Sequence, residues 1–176
     1  MSNFSIWLLL EKESRSNYRQ ITKSISKRLK APIFEPHCTL YGRLNTDIEF
    51  LKPFVTELAK NYNQFSASVK KIKSGDSYSK SLYVSIKNSG ALKQLNTICK
   101  NKFSGLRKYG FDPHISIAYG IFSNEEIYFA TKSIIIPDHV VFNGLSIVKI
   151  GKNVTTWETV FPVPYTHLTL PTPPYV

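Results

Sequence analysis

The chain has 176 residues, 42% hydrophobic and 20% charged, with 8 Gly and 10 Pro. That length suits one domain with a real apolar core, which excludes a disordered or a fibrous chain. Lys and Arg outnumber Asp and Glu 23 to 12, a net charge of +11, which favours nucleotides, RNA or acidic membrane surfaces as partners.

The apolar run Ile6 to Leu10 is closed by Glu11, Lys12 and Glu13 and is far too short to span a bilayer. No basic segment or small-residue cleavage site makes it a signal peptide. The two cysteines, Cys38 and Cys99, are expected to stay reduced thiols. A soluble, monomeric intracellular protein without a membrane partner is expected, cytoplasmic with the nucleus left open.

In chain order, Phe4 to Leu10 predicts a buried first strand. Tyr18, Ile21, Ile25 and Leu29 then recur at helical spacing, with Lys23, Lys27, Arg28 and Lys30 crowding the end and Pro32 stopping the helix. His37 to Leu44 reads as a strand. Thr46 with Glu49 reads as a capping box for a second helix, although Pro53 argues for a start at Lys52 instead. Phe65 to Lys73 and Leu82 to Lys87 predict a hairpin across the turn residues Ser74-Gly75-Asp76-Ser77. Leu92, Leu95, Ile98 and Phe103 mark a third helix. His114 to Tyr119 is again a strand, followed by a Ser123/Glu126 capping box and a short helix. Ile134 to Ile136, Leu145 to Ile150 and Thr156 to Phe161 are late strand candidates. Strands and helices mix without strict alternation, which predicts an α+β fold with antiparallel sheets.

From Pro164 to Val176 the chain carries no charge and four prolines, and its string Tyr165 to Thr172 resembles the translation of a sequencing adapter. It reads as a non-native tail, leaving residues 1–163 as the domain.

Two segments repeat each other. Phe34-Glu35-Pro36-His37-Cys38-Thr39-Leu40-Tyr41-Gly42 matches Phe111-Asp112-Pro113-His114-Ile115-Ser116-Ile117-Ala118-Tyr119-Gly120, with one extra residue before the second tyrosine. Two units of one design imply a pseudo-symmetric pair of lobes. On a strand, residues two apart share a face, so His37 projects with Thr39 and His114 with Ser116, while Cys38, Leu40, Ile115 and Ile117 face the core. Two imidazoles and two hydroxyls on one groove suit phosphodiester hydrolysis. One imidazole takes a proton from water, the other gives one to the leaving oxygen, and the hydroxyls hold the phosphate oxygens. Nothing in this chemistry asks for a metal or an organic cofactor.

Single features carry less. With Ser and Thr at roughly one residue in six, a lone His-x-Thr is a chance event, and the duplicated acid-Pro-His context is what lifts these two. His167-Leu168-Thr169 lacks that context and falls in the tail; His139 has no partner pattern. Zinc at Cys38, His37, Cys99 and His114 is disfavoured because Cys38 points away from His37. Trp7 and Trp157 read as core. Lys70, Lys71, Lys73, Lys100, Lys102, Arg107 and Lys108 read mainly as solvated faces.

The paired Pro36-His37-Cys38-Thr39 and Pro113-His114-Ile115-Ser116 resemble the two signature motifs of the 2H phosphoesterase superfamily. With Ile6-Trp7 and Ser81-Leu82-Tyr83-Val84 around them, they are most similar to its cyclic phosphodiesterase branch, over most of residues 4–161. The resemblance implies a bilobal α+β fold with a central cleft. It also implies metal-free opening of a nucleoside 2',3'-cyclic phosphate, or of ADP-ribose 1'',2''-cyclic phosphate, to a monophosphate. It maps acid and base onto His37 and His114, phosphate binding onto Thr39 and Ser116, and a cleft position onto Tyr119. An enzyme acting on RNA ends, including a 2'-5' RNA ligase-like one, and a non-catalytic nucleotide-binding module are the competing expectations.

Overall fold

The computed structural model describes residues 2–165. These residues form strands β1 (Ser2–Leu10), β2 (Cys38–Thr46), β3 (Phe65–Ser74), β4 (Leu82–Ile86), β5 (His114–Ala118), β6 (His139–Lys149) and β7 (Glu158–Pro164) together with four α-helices. These are α1 (Lys12–Leu29), α2 (Ile48–Lys60), α3 (Gly90–Phe103) and α4 (Asn124–Thr131). All strand pairings are antiparallel, in the order β1-β2-β5-β4-β3-β6-β7, and β1 also pairs with β6. The fold is α+β, as the mixed pattern of the sequence predicts.

The element order contains one unit twice: β1-α1-β2-α2-β3, then β4-α3-β5-α4-β6. The two units exchange strands. β6 of the second pairs with β1 of the first, and β3 of the first pairs with β4 of the second. One lobe is therefore β2-β1-β6-β7 and the other β5-β4-β3, joined where β3 meets β6 and where Cys38 of β2 pairs with Ile115 of β5. The helices are exchanged too: α1 packs on β5, and α3 packs on β2, where Asn96 donates from Nδ2 to the Leu40 carbonyl. Each histidine strand thus rests on the helix of the other unit.

One apolar core underlies both lobes, including Ile6, Leu8, Tyr18, Ile25, Leu40, Leu51, Leu92, Phe103, Ile115, Ile117 and Phe142. The Tyr18-Ile21-Ile25 stripe of α1 is buried, and Lys30 ends the helix in a left-handed conformation (φ 53°). In α3 the register differs from the predicted stripe: Cys99 is buried and Ile98 is 38% exposed. α4 has its capping box at Ser123 and Glu126. No helix among the described residues is long and apolar enough to cross a membrane.

Four expectations need correction. Asp47, not Thr46, caps α2, its Oδ1 accepting from the Glu49 N–H at 2.9 Å, because Thr46 is still paired to Ser2 in the sheet. α2 starts at Ile48 rather than Lys52, so Pro53 lies inside it; buried Leu51, Val55 and Leu58 outweigh the missing N–H. Residues 134–136 form no strand, and the late strand over 145–150 is the second half of the eleven-residue β6. The proposed tail starts too early, since Pro164 closes β7 and Tyr165 is buried, its N–H bonded to the Asn143 carbonyl. The rest of that tail, His167 included, lies outside the described residues.

Candidate active site

Where β2 meets β5 the antiparallel register decides the site. With Cys38 opposite Ile115, one step either way puts His37 opposite Ser116 and Thr39 opposite His114. Residues opposite each other share a sheet face, so all four project together. Cys38, Leu40, Ile115 and Ile117 are fully buried on the other face, as the alternation predicts. Each histidine stands across from the hydroxyl of the other motif, which no single motif implies.

The outer neighbours repeat the symmetry. Trp7 of β1 pairs with Thr39, and Tyr83 of β4 pairs with Ser116. From these positions each ring reaches diagonally to a histidine. Trp7 stacks flat on His37 with centroids 3.4 Å apart, and Tyr83 meets His114 edge-on at 5.1 Å. Sequence reasoning left Trp7 in the core and Tyr83 without a role. The matching strings Ser5-Ile6-Trp7-Leu8 and Ser81-Leu82-Tyr83-Val84 carry the signal that equates them.

Both imidazoles are oriented the same way. Nδ1 of His37 lies 2.8 Å from the Glu35 carbonyl, and Nδ1 of His114 lies 2.7 Å from the Asp112 carbonyl. A carbonyl oxygen only accepts, so each Nδ1 carries the hydrogen and each Nε2 is left to exchange a proton. The carbonyl belongs in each case to the acid two residues upstream, with the proline between. That geometry explains why both motifs share acid-Pro-His.

Burial pushes the His37 imidazole down to about 4; the Glu35 carbonyl works the other way and the nearby His114 works with it. His114 is also lowered, chiefly by burial. The Asp112 carbonyl opposes the shift, the Lys80 charge adds to it and the Asp112 carboxylate opposes it. Without an anion in the site, both rings therefore favour the neutral form at pH 7. Burial pushes the Tyr119 phenol up to about 12, with the Ser116 side chain opposing the shift.

The four side chains open into a cleft of about 260 Å³. Tyr119 lines it, packed edge-on against Phe34 and Trp157, with only 3% of its surface exposed. Trp157, expected in the core, also lines the cleft, and Gly151 accepts its indole N–H at 3.0 Å. Of the basic residues weighed from sequence, Arg107 lines the cleft and the others do not. Arg43, Lys80 and Tyr109 line it without any signal in their local sequence. Lys80 ion-pairs with Asp112 and lies 4.7 Å from the Tyr83 ring centroid. His139 is exposed at the start of β6, away from the cleft.

A strand-exchanged α+β fold with two histidine-hydroxyl pairs facing each other defines a class, and comparison with known proteins agrees with it. Residues 28–134, which hold both motifs, match the 2'-5' RNA ligase superfamily. The chain belongs to that superfamily, the 2H phosphoesterases, and is an enzyme of it. It is 21% identical to an Arabidopsis thaliana cyclic phosphodiesterase over 166 residues, 89% of this chain and 92% of the relative. A solved structure from Thermus thermophilus matches 93% of this chain and 97% of its own with a TM-score of 0.62 at 13% identity. E. coli LigT complexed with 3'-AMP matches 94% and 99% with a TM-score of 0.58 at 15% identity.

Proposed function

We propose that the enzyme opens a ribose cyclic phosphodiester, a nucleoside 2',3'-cyclic phosphate or ADP-ribose 1'',2''-cyclic phosphate, by metal-independent acid-base catalysis with His37 and His114. The observation that carries this reading is the pair of imidazoles with Nδ1 fixed on a carbonyl, each facing the hydroxyl of the other motif. The relatives fit it: one is named a cyclic phosphodiesterase, and another binds 3'-AMP, the kind of monophosphate that such a reaction yields.

The cyclic phosphate monoanion sits between Thr39 and Ser116, whose O–H groups donate to its two non-bridging oxygens as charge grows there. One neutral Nε2 takes a proton from water, and the water oxygen bonds to phosphorus. The bond from phosphorus to one ribose oxygen breaks, and the other imidazolium protonates that oxygen. The products are a phosphomonoester and a free hydroxyl, and the two histidines end with their protonation states exchanged. Since both rings start nearly neutral, the substrate's own charge recruits the proton: an anion beside a buried imidazole favours its charged form. Tyr119 contributes a wall to the cleft.

The deciding experiment is a product assay on 2',3'-cyclic AMP with a chelator present, resolving 2'-AMP from 3'-AMP. Steady formation of one monophosphate supports the reading. No hydrolysis, or hydrolysis that stops with chelator and returns with zinc, overturns it. RNA ends bearing the same cyclic phosphate are a second reading, favoured by the net charge of +11. A rate on oligomers that falls steeply with salt, beside a flat rate on mononucleotides, would select it.

A further inference from the structure

The cleft lining holds three permanent cations, Arg43, Lys80 and Arg107, and no carboxylate. A cyclic phosphodiester brings a single negative charge, which the two histidines and two hydroxyls already receive. Lys80 is answered by Asp112. Neither Arg43 nor Arg107 takes part in an ion pair among the described residues. Two unanswered guanidinium charges are thus left in a cleft that is already matched to its reacting group.

Their backbones are held in place. Arg43 sits in the left-handed region (φ 56°), a conformation that costs a non-glycine residue on the order of 1 kcal/mol, and its N–H donates to Ser5 Oγ at 2.9 Å. The Arg107 carbonyl accepts from the buried Tyr41 hydroxyl. Tyr109 lines the same cleft, and both guanidinium charges oppose the rise that burial imposes on its phenol. Its ring packs over Gly42 so closely that a Cβ there would lie 3.1 Å from Tyr109 and 3.5 Å from Thr39. Thr39 and Tyr109 therefore meet at Gly42, the residue before Arg43, in the same cleft lining that holds both arginines. The aromatic group of Trp7, Trp157 and Tyr119 clusters around His37 instead, and Tyr109 contacts Tyr41 rather than any of these.

A nucleoside 2',3'-cyclic phosphate fixed between Thr39 and Ser116 has two other ends, the base and the 5' carbon, whereas ADP-ribose 1'',2''-cyclic phosphate is closed through its anomeric oxygen and keeps only the second. Aromatic surface suits the first and guanidinium groups suit an anion on the second. We infer that Arg43 and Arg107 form a subsite for a second phosphate, the one on the 5' carbon of the ribose whose cyclic phosphate is opened. The preferred substrate class is then a cyclic phosphate that carries a 5'-phosphate or 5'-pyrophosphate, rather than a bare nucleoside cyclic phosphate. This rests on the proposed reaction and narrows its substrate.

Binding and turnover test it separately, on the whole chain. By calorimetry, adenosine 2',5'-bisphosphate should bind about tenfold or more tightly than adenosine 2'-phosphate, the gain expected of one charge-assisted phosphate contact at an exposed site. In Arg43→Gln/Arg107→Gln that gap should shrink to about twofold. It should persist in Lys23→Gln/Lys27→Gln, which removes the same charge from an exposed face of α1. By kinetics, the ratio of kcat/KM for 5'-phosphorylated adenosine 2',3'-cyclic phosphate over plain 2',3'-cyclic AMP should collapse in the arginine variant. ADP-ribose 1'',2''-cyclic phosphate and a cyclic-phosphate-ended oligoribonucleotide distinguish a pyrophosphate source from an RNA source. An unchanged gap in the arginine variant, or an equal shrinkage in the lysine control, overturns the subsite. If no cyclic phosphate is hydrolysed the reaction fails, while the bisphosphate gap still decides the subsite.

Discussion

The two histidines occupy equivalent places in the two repeats, yet their surroundings differ. His37 is 7% exposed and covered by the flat face of Trp7, with Trp157 edge-on at 5.9 Å. His114 meets only the edge of Tyr83, keeps one side partly open, and stands beside the Lys80–Asp112 ion pair. The backbone device is the same in both, a carbonyl on Nδ1, so tautomer and direction are equal. What differs is desolvation. Burial is the largest influence that drives His37 to about 4, with the Glu35 carbonyl opposing it and His114 adding to it, whereas at His114 burial acts together with the fixed charges of Lys80 and Asp112. Duplication supplies two imidazoles oriented alike, and unequal burial makes them unlike.

The strongest way to break this comparison is to remove each ring in turn. His37→Ala and His114→Ala should each reduce kcat on a cyclic phosphate by roughly 10²–10⁴-fold while the far-ultraviolet dichroism is retained. Wild-type turnover in either variant removes that histidine from the chemistry.

Acid stability sharpens it next. Between pH 6.5, the ordinary histidine value, and about 4, the unfolded chain protonates residue 37 while the folded chain does not. The unfolded state then binds more protons, so stability should fall as pH drops through that window, by on the order of 3 kcal/mol in total, and be fully present above it. Denaturant titrations from pH 7 to pH 4 should show this slope, and His37→Gln should reduce it to the part that the lowered His114 imidazole contributes. An undiminished slope in His37→Gln would assign the loss to other groups. A third contrast lies in the hydroxyls: Thr39→Val and Ser116→Ala should each cost on the order of 10²-fold in kcat, one donor apiece. Unchanged kinetics in both would make the hydroxyls structural.

Much of this was legible in the sequence. The duplicated acid-Pro-His-x-hydroxyl string marks the histidine strands, and alternation alone assigns Cys38, Leu40, Ile115 and Ile117 to the core. The α1 stripe and the Ser123 capping box are local signals, and local signals survive folding. Errors arose where one local signal competed with another. Thr46 has the spacing of a cap, but the sheet holds it in β2 and Asp47 caps instead. Pro53 argues against the first turn of α2, but the buried face of that helix outweighs it. Trp7 is buried as its apolar strand predicts and still lines the cleft, while Trp157, read as core, is half-buried at the cleft just before β7, because a sequence does not say which apolar face borders a cleft.

What the sequence by itself determined is the chemistry of the four central side chains and the face each takes on its own strand, because both follow from residue type and the two-residue period of a strand. Only the tertiary structure decided which residues stand opposite them. The Cys38–Ile115 pairing turns two separate motifs into crossed histidine-hydroxyl pairs. Within each unit β1 lies beside β2 and β4 beside β5, so that Trp7 and Tyr83 become unequal neighbours of the two imidazoles. Arg43 reaches the cleft from within β2, Lys80 from the short turn between β3 and β4, and Arg107 from the segment after α3. Periodicity and capping act over a few residues, whereas desolvation and cross-strand contact depend on segments far apart in the chain. The two imidazoles therefore come from the motifs, and the difference between them from the fold.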